Sequence, residues 1–224
     1  MSVGGAAADR ADHVGSPAPR LILASASPAR ARLLSAAGIT FEVIVSDVDE
    51  DAVTAARPEA GPAETAQLLA RAKCEDVARR PEAAGALVLG CDSVFELDGV
   101  AYGKPWKPDV ARERWRLQSG RTGQLHTGHW LVDARSGETA PPAAGALATA
   151  SVTFAEVTDE EIADYVATGE PLECAGAFTI DGRGAALISA VNGDPNAVIG
   201  LSVSTLRGLM TEFGTSLTSF WPRG

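Results

Sequence analysis

The sequence has few cysteines, few aromatic residues and no long apolar run, and each shortage excludes something. Cys74, Cys91 and Cys174 are scattered, odd in number and never spaced C-x-x-C. That spacing offers neither a disulfide framework nor a cysteine zinc site. The histidines, His13, His126 and His129, form no metalloprotease-type pair. No stretch approaches the roughly 20 apolar residues of a membrane span. The chain contains no G-x-x-x-x-G-K-S/T loop and no G-x-S-x-G elbow, which leaves out a P-loop and a hydrolase nucleophile of that type. Positive charge is also scarce, with 19 Lys and Arg against 29 Asp and Glu. An acidic surface repels extended nucleic acid. A small anionic substrate stays open if a few cations converge. The first 19 residues are rich in Ala, Gly, Asp and Pro and lack an apolar signal core. They are expected to be a disordered tail, not a targeting peptide. These features together point to a reducing, cytoplasmic setting.

What remains is a chain of 224 residues, 46% hydrophobic, enough for one large domain or two small lobes sharing a core. Residues 21–25 read as a short apolar strand. A helix is expected over 28–37, with Ser27 as N-cap and Pro28 at the first helical position. A strand over 41–46 and a polar loop over 47–61 follow, then a helix over 62–80 ended by Pro81. Residues 86–91 are a continuous apolar run, hence a buried strand. Residues 93–102 look like a hairpin turning at Asp98-Gly99. Further helices are expected over 109–119, 159–168 and 203–213. Strands are expected near 124–132, 149–157, 177–180 and 186–188. The domain is read as residues 20–214, with 215–224 as a C-terminal tail. The alternation of elements suggests an α/β fold with a sheet of mixed direction.

Five features could carry chemistry. The run Ser25-Ala26-Ser27-Pro28-Ala29-Arg30 joins a strand to a helix N-terminus, where unpaired N–H groups attract phosphate. Ser25 and Ser27 could donate there, and Arg30 could add a bidentate contact. The same run is equally an ordinary capped helix start. Val48-Asp49-Glu50-Asp51 clusters carboxylates that suit a hard divalent cation, or a solvated acidic loop. Lys73 falls between Leu69 and Val77 on an apolar helix face, so it either snorkels or meets a buried anion. Asp92 follows the apolar run 86–89 at what reads as a strand end, where α/β proteins build sites. It could serve as a base or metal ligand, or simply stand in a turn. Lys104 sits in the constrained turn Gly103-Lys104-Pro105. Cys91 and Cys174 lack an assignable partner histidine and read as small buried residues.

Taken in order, Leu23–Arg30, Val48-Asp49-Glu50, Ala70–Lys73, Gly90-Cys91-Asp92-Ser93 and Gly103-Lys104-Pro105 form a pattern. It continues through Ser119-Gly120-Arg121, Cys174–Phe178, Asp181-Gly182 and Asn196–Leu201. This ordered set resembles the Maf family of nucleotide pyrophosphatases over roughly residues 21–213, in its actinobacterial branch. The resemblance implies an elongated mixed β-sheet of the Maf/inosine-triphosphatase type, with flanking helices and two lobes around a central cleft. It implies hydrolysis of a nucleoside triphosphate to the monophosphate and pyrophosphate with a divalent metal, Mg or Mn. It further implies a homodimer and a historical link to septum formation. By the same resemblance, Asp92 is the proton acceptor. Ser25, Arg30, Lys73 and Lys104 bind phosphate, Lys73, Lys104 and Glu50 assist catalysis, and Glu50 and Asp92 hold the metal.

Three positions differ from the thymidine/uridine-triphosphate type. Ala29 stands where that type has a second arginine, Ser93 where it has threonine, and Asp181 where it has glutamine. A carboxylate only accepts hydrogen bonds, so Asp181 suits a donor edge such as guanine N1–H and N2–H2. A nucleotide-binding septation regulator with little turnover and a protein–protein adaptor are the competing readings. Retention of Asp92 and Glu50 argues against the regulator.

Overall fold

In the computed structural model, which describes residues 19–222, the chain opens on β1 (Arg20–Leu23), buried from Leu21 onward. Ser27 Oγ then accepts from the Arg30 N–H and starts α1 (Pro28–Ala36) with Pro28 in its first turn. The order continues with β2 (Glu42–Val43), α2 (Glu50–Ala55), α3 (Pro62–Ala78), β3 (Ala86–Leu97), β4 (Val100–Tyr102) and α4 (Pro108–Gln118). Next come β5 (Thr122–Asp133), β6 (Ala143–Phe154), α5 (Asp159–Ala167), β7 (Ile188–Asn192), α6 (Pro195–Ile199) and α7 (Val203–Glu212). The seven strands among the described residues make one sheet, ordered β2-β1-β3-β5-β6-β7, with β4 against β3. β1 runs parallel to β2 and β3, and the other pairs are antiparallel. The expected mixed α/β sheet with flanking helices is therefore present.

Strand alternation splits the core. Leu87, Leu89 and Cys91 of β3 pack with Leu21 and Leu23 against Leu34 of α1 and Leu206, Leu209 and Met210 of α7. Ile22 and Val88 face the other way and meet Cys74 and Val77 of α3. At the far end of β3, Phe95 joins Trp115, Phe154, Tyr165 and Phe178 in a third cluster, with edge-on rings such as Phe95–Phe178 at 5.3 Å. The two ends of one long strand thus anchor two lobes.

The cleft between them is a gap in the sheet. β1 pairs with β3 only as far as Leu23 opposite Leu89. β4 begins to pair at Phe95. Along the edge between, β3 has neither neighbour beside Gly90–Val94, while its other edge stays paired with β5. On this stretch α3 settles very close to the strands. A Cβ on Gly90 would lie 2.2 Å from the Ala70 carbonyl oxygen, and one on Gly128 would lie 2.4 Å from that of Ala66. Only glycine permits this approach.

Several expectations need correction. β3 does not end at Cys91 but runs on to Leu97, so Asp92 is mid-strand. The turn at Asp98-Gly99 is as expected, with φ of 55° and 78°. The polar loop 47–61 contains α2, capped by Asp49 Oδ1 accepting from the Ala52 N–H at 2.9 Å. Residues 177–180 form no strand, because Gly176 and Ala177 adopt φ of 72° and 62°. Ala186 and Leu187 close a 3-10 turn, and β7 starts at Ile188. The segment read as a C-terminal tail packs on the core through Leu217 and Phe220, with the Thr40 N–H donating to the Phe220 carbonyl at 2.9 Å. The expected N-terminal tail falls, but for Pro19, outside the described residues.

Candidate active site

Adjacent residues of β3 point to opposite faces, so Asp92 and Ser93 enter two different polar groups at the gap. On the α3 side, the Lys73 ammonium donates to Asp92 Oδ1 at 2.5 Å and lies 2.8 Å from Glu50 Oε1. Lys73 and Asp92 are each 8% exposed. Lys73 therefore does not snorkel; it meets a buried anion. Glu50 is the first residue of α2, beside the capping Asp49. The close seating of α3 on Gly90 brings Lys73 to Asp92, because Lys73 lies between Ala70 and Cys74, the residues nearest that glycine.

On the other side stands Arg30, 9% exposed. Its Nε donates to the Gly200 carbonyl at 2.8 Å, Nη1 to Ser25 Oγ at 3.0 Å and Nη2 to Ser93 Oγ at 3.3 Å. Thr127 donates its hydroxyl hydrogen to the Ala197 carbonyl at 2.7 Å. Its contact with Ser93 Oγ at 2.8 Å must then take the Ser93 hydrogen. A directed chain results, from Arg30 through Ser93 and Thr127 to the carbonyl of Ala197. Behind it, His129 is fully buried. The Ser202 N–H donates to His129 Nε2 at 2.8 Å, so Nδ1 carries the hydrogen toward the Thr127 carbonyl at 3.1 Å. Burial, reinforced by Arg30, holds this imidazole down at about 4. It is a neutral strut, not a base.

The remaining expected residues lie outside these two groups. The Lys104 ammonium rests over the Trp106 ring at 5.0 Å. Among the described residues no hydrogen bond or ion pair joins it to Lys73, Glu50 or Asp92. Asp181 is exposed, and its Oδ2 is 3.4 Å from Nη2 of Arg32 on α1. Ala29 lies one turn before Arg32 on the same helix face. Burial pushes the Cys174 thiol up to about 11, with Asp181 and Glu170 adding and Lys104 opposing, so these groups share one region. Cys91 is pushed to about 12 by burial and is inert as a nucleophile.

The structure thus brings Ser25, Arg30 and Ser93 into one group and Glu50, Lys73 and Asp92 into another. Lys104, Ala29 and Asp181 stand outside both. Thr127, His129 and the Gly200 carbonyl were not singled out from sequence. Alternation along β5 was the available signal, since it places Thr127 and His129 on one face.

A family profile described as Maf-like protein matches residues 20–213. A nucleoside triphosphate pyrophosphatase of Leifsonia xyli subsp. xyli is 55% identical over 91% of this chain and 97% of its own length. Proteins of the same name from Streptomyces coelicolor and Thermosynechococcus vestitus are 52% and 46% identical, covering 92% and 88% of this chain and 96% and 94% of theirs. A solved nucleoside-triphosphatase / dITP/XTP pyrophosphatase from Mycobacterium abscessus aligns at a TM-score of 0.35 and 14% identity, over 86% of this chain and 94% of that one. At that level it adds nothing to the fold, which rests on the sheet itself. The match across nearly the whole domain makes this chain a member of the Maf-like protein family.

Proposed function

We propose that this chain is a nucleoside triphosphate pyrophosphatase, releasing pyrophosphate and a nucleoside monophosphate. The observation that carries the reading is the buried Asp92–Lys73–Glu50 group beside Arg30, at a gap in the sheet edge. A triphosphate brings about four negative charges that must be met by cations. Arg30 commits three N–H groups to the fold, which orients the rest of its five donors toward phosphate at the start of α1. Ser25 lies beside it. Lys73 holds the Asp92 carboxylate in place through its 2.5 Å contact. Asp92 accepts the proton of a water that attacks the α-phosphorus, and pyrophosphate leaves from the opposite side. Lys104 adds charge toward the outer phosphates.

A divalent cation, Mg or Mn, fits this group. Glu50 and Asp92, from two elements, both contact the Lys73 ammonium, so the two carboxylates are near neighbours, and a magnesium-type ion uses one or two carboxylates with water and substrate phosphates. Among the described residues no cluster of three or more His, Cys, Asp or Glu is close enough for an all-protein cage. When bound, the ion would neutralise charge growing on the leaving pyrophosphate.

Asp181 supplies an acceptor-only contact, which favours a guanine-like or modified purine base over thymine or uracil. On this reading the enzyme clears nucleotides that should not enter nucleic acid. We expect it to work in the cytoplasm as a homodimer; any tie to septation comes from the family alone. Pyrophosphate release from a panel of nucleotides with Mg²⁺ or Mn²⁺ tests the proposal. A folded Asp92→Asn variant with full turnover would overturn the mechanism, and preference for dTTP and UTP would overturn the base assignment.

A further inference from the structure

Glu170 has no part in the groups above, yet it is a dense hydrogen-bond centre. It follows α5 and opens the 3-10 turn Glu170–Glu173. Its Oε1 accepts from the Tyr165 hydroxyl at 3.0 Å, the Thr179 hydroxyl at 2.5 Å and the Gly184 N–H at 3.0 Å. Its Oε2 accepts from the Arg183 N–H at 3.0 Å. Thr179, Arg183 and Gly184 bracket Asp181, so the carboxylate closes that segment into a loop. The loop wraps tightly. A Cβ on Gly182 would lie 2.7 Å from Glu170 Oε1, and one on Gly184 would lie 2.5 Å from the Tyr165 hydroxyl. Burial pushes the Glu170 carboxyl up, but the hydrogen bonds from Thr179, Gly184, Arg183 and Tyr165 together outweigh it and hold it at about 2. It is therefore an ionised, acceptor-only anchor at neutral pH.

The loop presents Asp181 to α1, where it meets Arg32. We propose that Glu170 is a positioning residue for nucleobase selection, acting by fixing the Thr179–Gly184 loop so that Asp181 faces α1. A carboxylate discriminates between bases only if it cannot turn away to water when the wrong edge arrives. Four hydrogen bonds to one half-buried anchor supply that restraint. The inference rests on the pyrophosphatase reading and adds the element that makes its base contact selective.

The test uses the full chain, with kcat and KM for pyrophosphate release from GTP, ATP and dTTP alongside melting temperatures. Glu170→Gln keeps the size but turns an NH2 group toward donors. Thr179→Val removes one donor and leaves three, and serves if the first variant fails to fold. Each is expected to shrink the ratio of kcat/KM between the preferred nucleotide and the next by about tenfold, mostly through KM. Turnover on the preferred nucleotide should stay within about threefold. Combined with Asp181→Ala, neither should change the selectivity of Asp181→Ala further, since residues acting as one unit are not additive. A lowered melting temperature with unchanged selectivity would overturn the inference. So would an additive effect in the Asp181→Ala background, or an Asp181→Ala variant with the wild-type base profile. Absence of pyrophosphate release by the wild type would instead refute the pyrophosphatase reading.

Discussion

Gly90→Ala is the sharpest perturbation of the site, although the residue touches no substrate. The added methyl would sit 2.2 Å from the Ala70 carbonyl oxygen, 2.6 Å from Cys74 Cβ and 2.8 Å from the Cys74 nitrogen. Two of these atoms are helix backbone, so a side-chain rotation cannot relieve the clash. Ordinary contact begins near 3.4 Å, and α3 must withdraw by about 1 Å. Lys73 travels with it and leaves Asp92, which it now touches at 2.5 Å. A misplacement of about 1 Å in a catalytic group costs roughly 100-fold in rate. Overpacking of this kind costs about 1–3 kcal/mol, and each kcal/mol lowers the melting point of a chain this size by roughly 2–4 °C. Steady-state pyrophosphate release and a thermal melt measure both effects. Gly208→Ala is the control: nothing lies within 4 Å of its added Cβ in α7. It should raise stability by up to about 1 kcal/mol with turnover unchanged. A folded Gly90→Ala protein with wild-type kcat would refute the claim that helix–strand contact sets Lys73.

Acid should weaken the fold through His129. Above pH 6.5 it is neutral folded and unfolded; between 6.5 and about 4 only the unfolded chain takes up the proton. Stability then falls as pH falls, by at most about 1.4 kcal/mol per pH unit. Denaturant melts across that window measure the slope, and an equal slope in His129→Gln would remove His129 as its source. Arg30→Lys keeps the charge but loses the fork that reaches Gly200, Ser25 and Ser93 at once. It should lower kcat/KM by roughly 10- to 100-fold; a wild-type value would mean that charge alone suffices. Chelation by EDTA should abolish pyrophosphate release and Mg²⁺ or Mn²⁺ should restore it, while full activity in EDTA would remove the metal from the mechanism.

Local signals were legible in the sequence where a single residue decided them. Ser27-Pro28 starts α1, and Asp98-Gly99 makes the turn between β3 and β4. Patterning failed where context overrides it. A polar Asp92 reads as the end of an apolar run, yet β3 continues because β5 pairs with it on both sides of that point. α2 buries no residue, so no apolar periodicity announces it. Phe178 is apolar and buried, but positive φ at the two residues before it rules out a strand. At the site, helical spacing put Lys73 on the inner face of α3, while its partner 19 residues away needed the fold. Thr127 meets Ala197 and His129 meets Ser202 across about 70 residues, a distance no local pattern spans.

The gap beside Gly90–Val94 has a further consequence. β3 and β5 pass beneath it without a break, paired from Leu87 opposite Asp133 to Glu96 opposite Gln124. A domain hinge needs a few backbone positions free to absorb large rotations, and a continuous ladder offers none. The floor of the cleft is therefore a fixed bed, holding Asp92 and Ser93 at constant separation. Adjustment is left to the rim that carries α2 with its exposed Glu50, because Glu170 ties down the loop that carries Asp181. Of the three acidic residues of the proposed mechanism, Asp92 stands on the continuous ladder and Asp181 on an anchored loop, so on the proposed function closure over a substrate falls to Glu50 and the short helix that carries it.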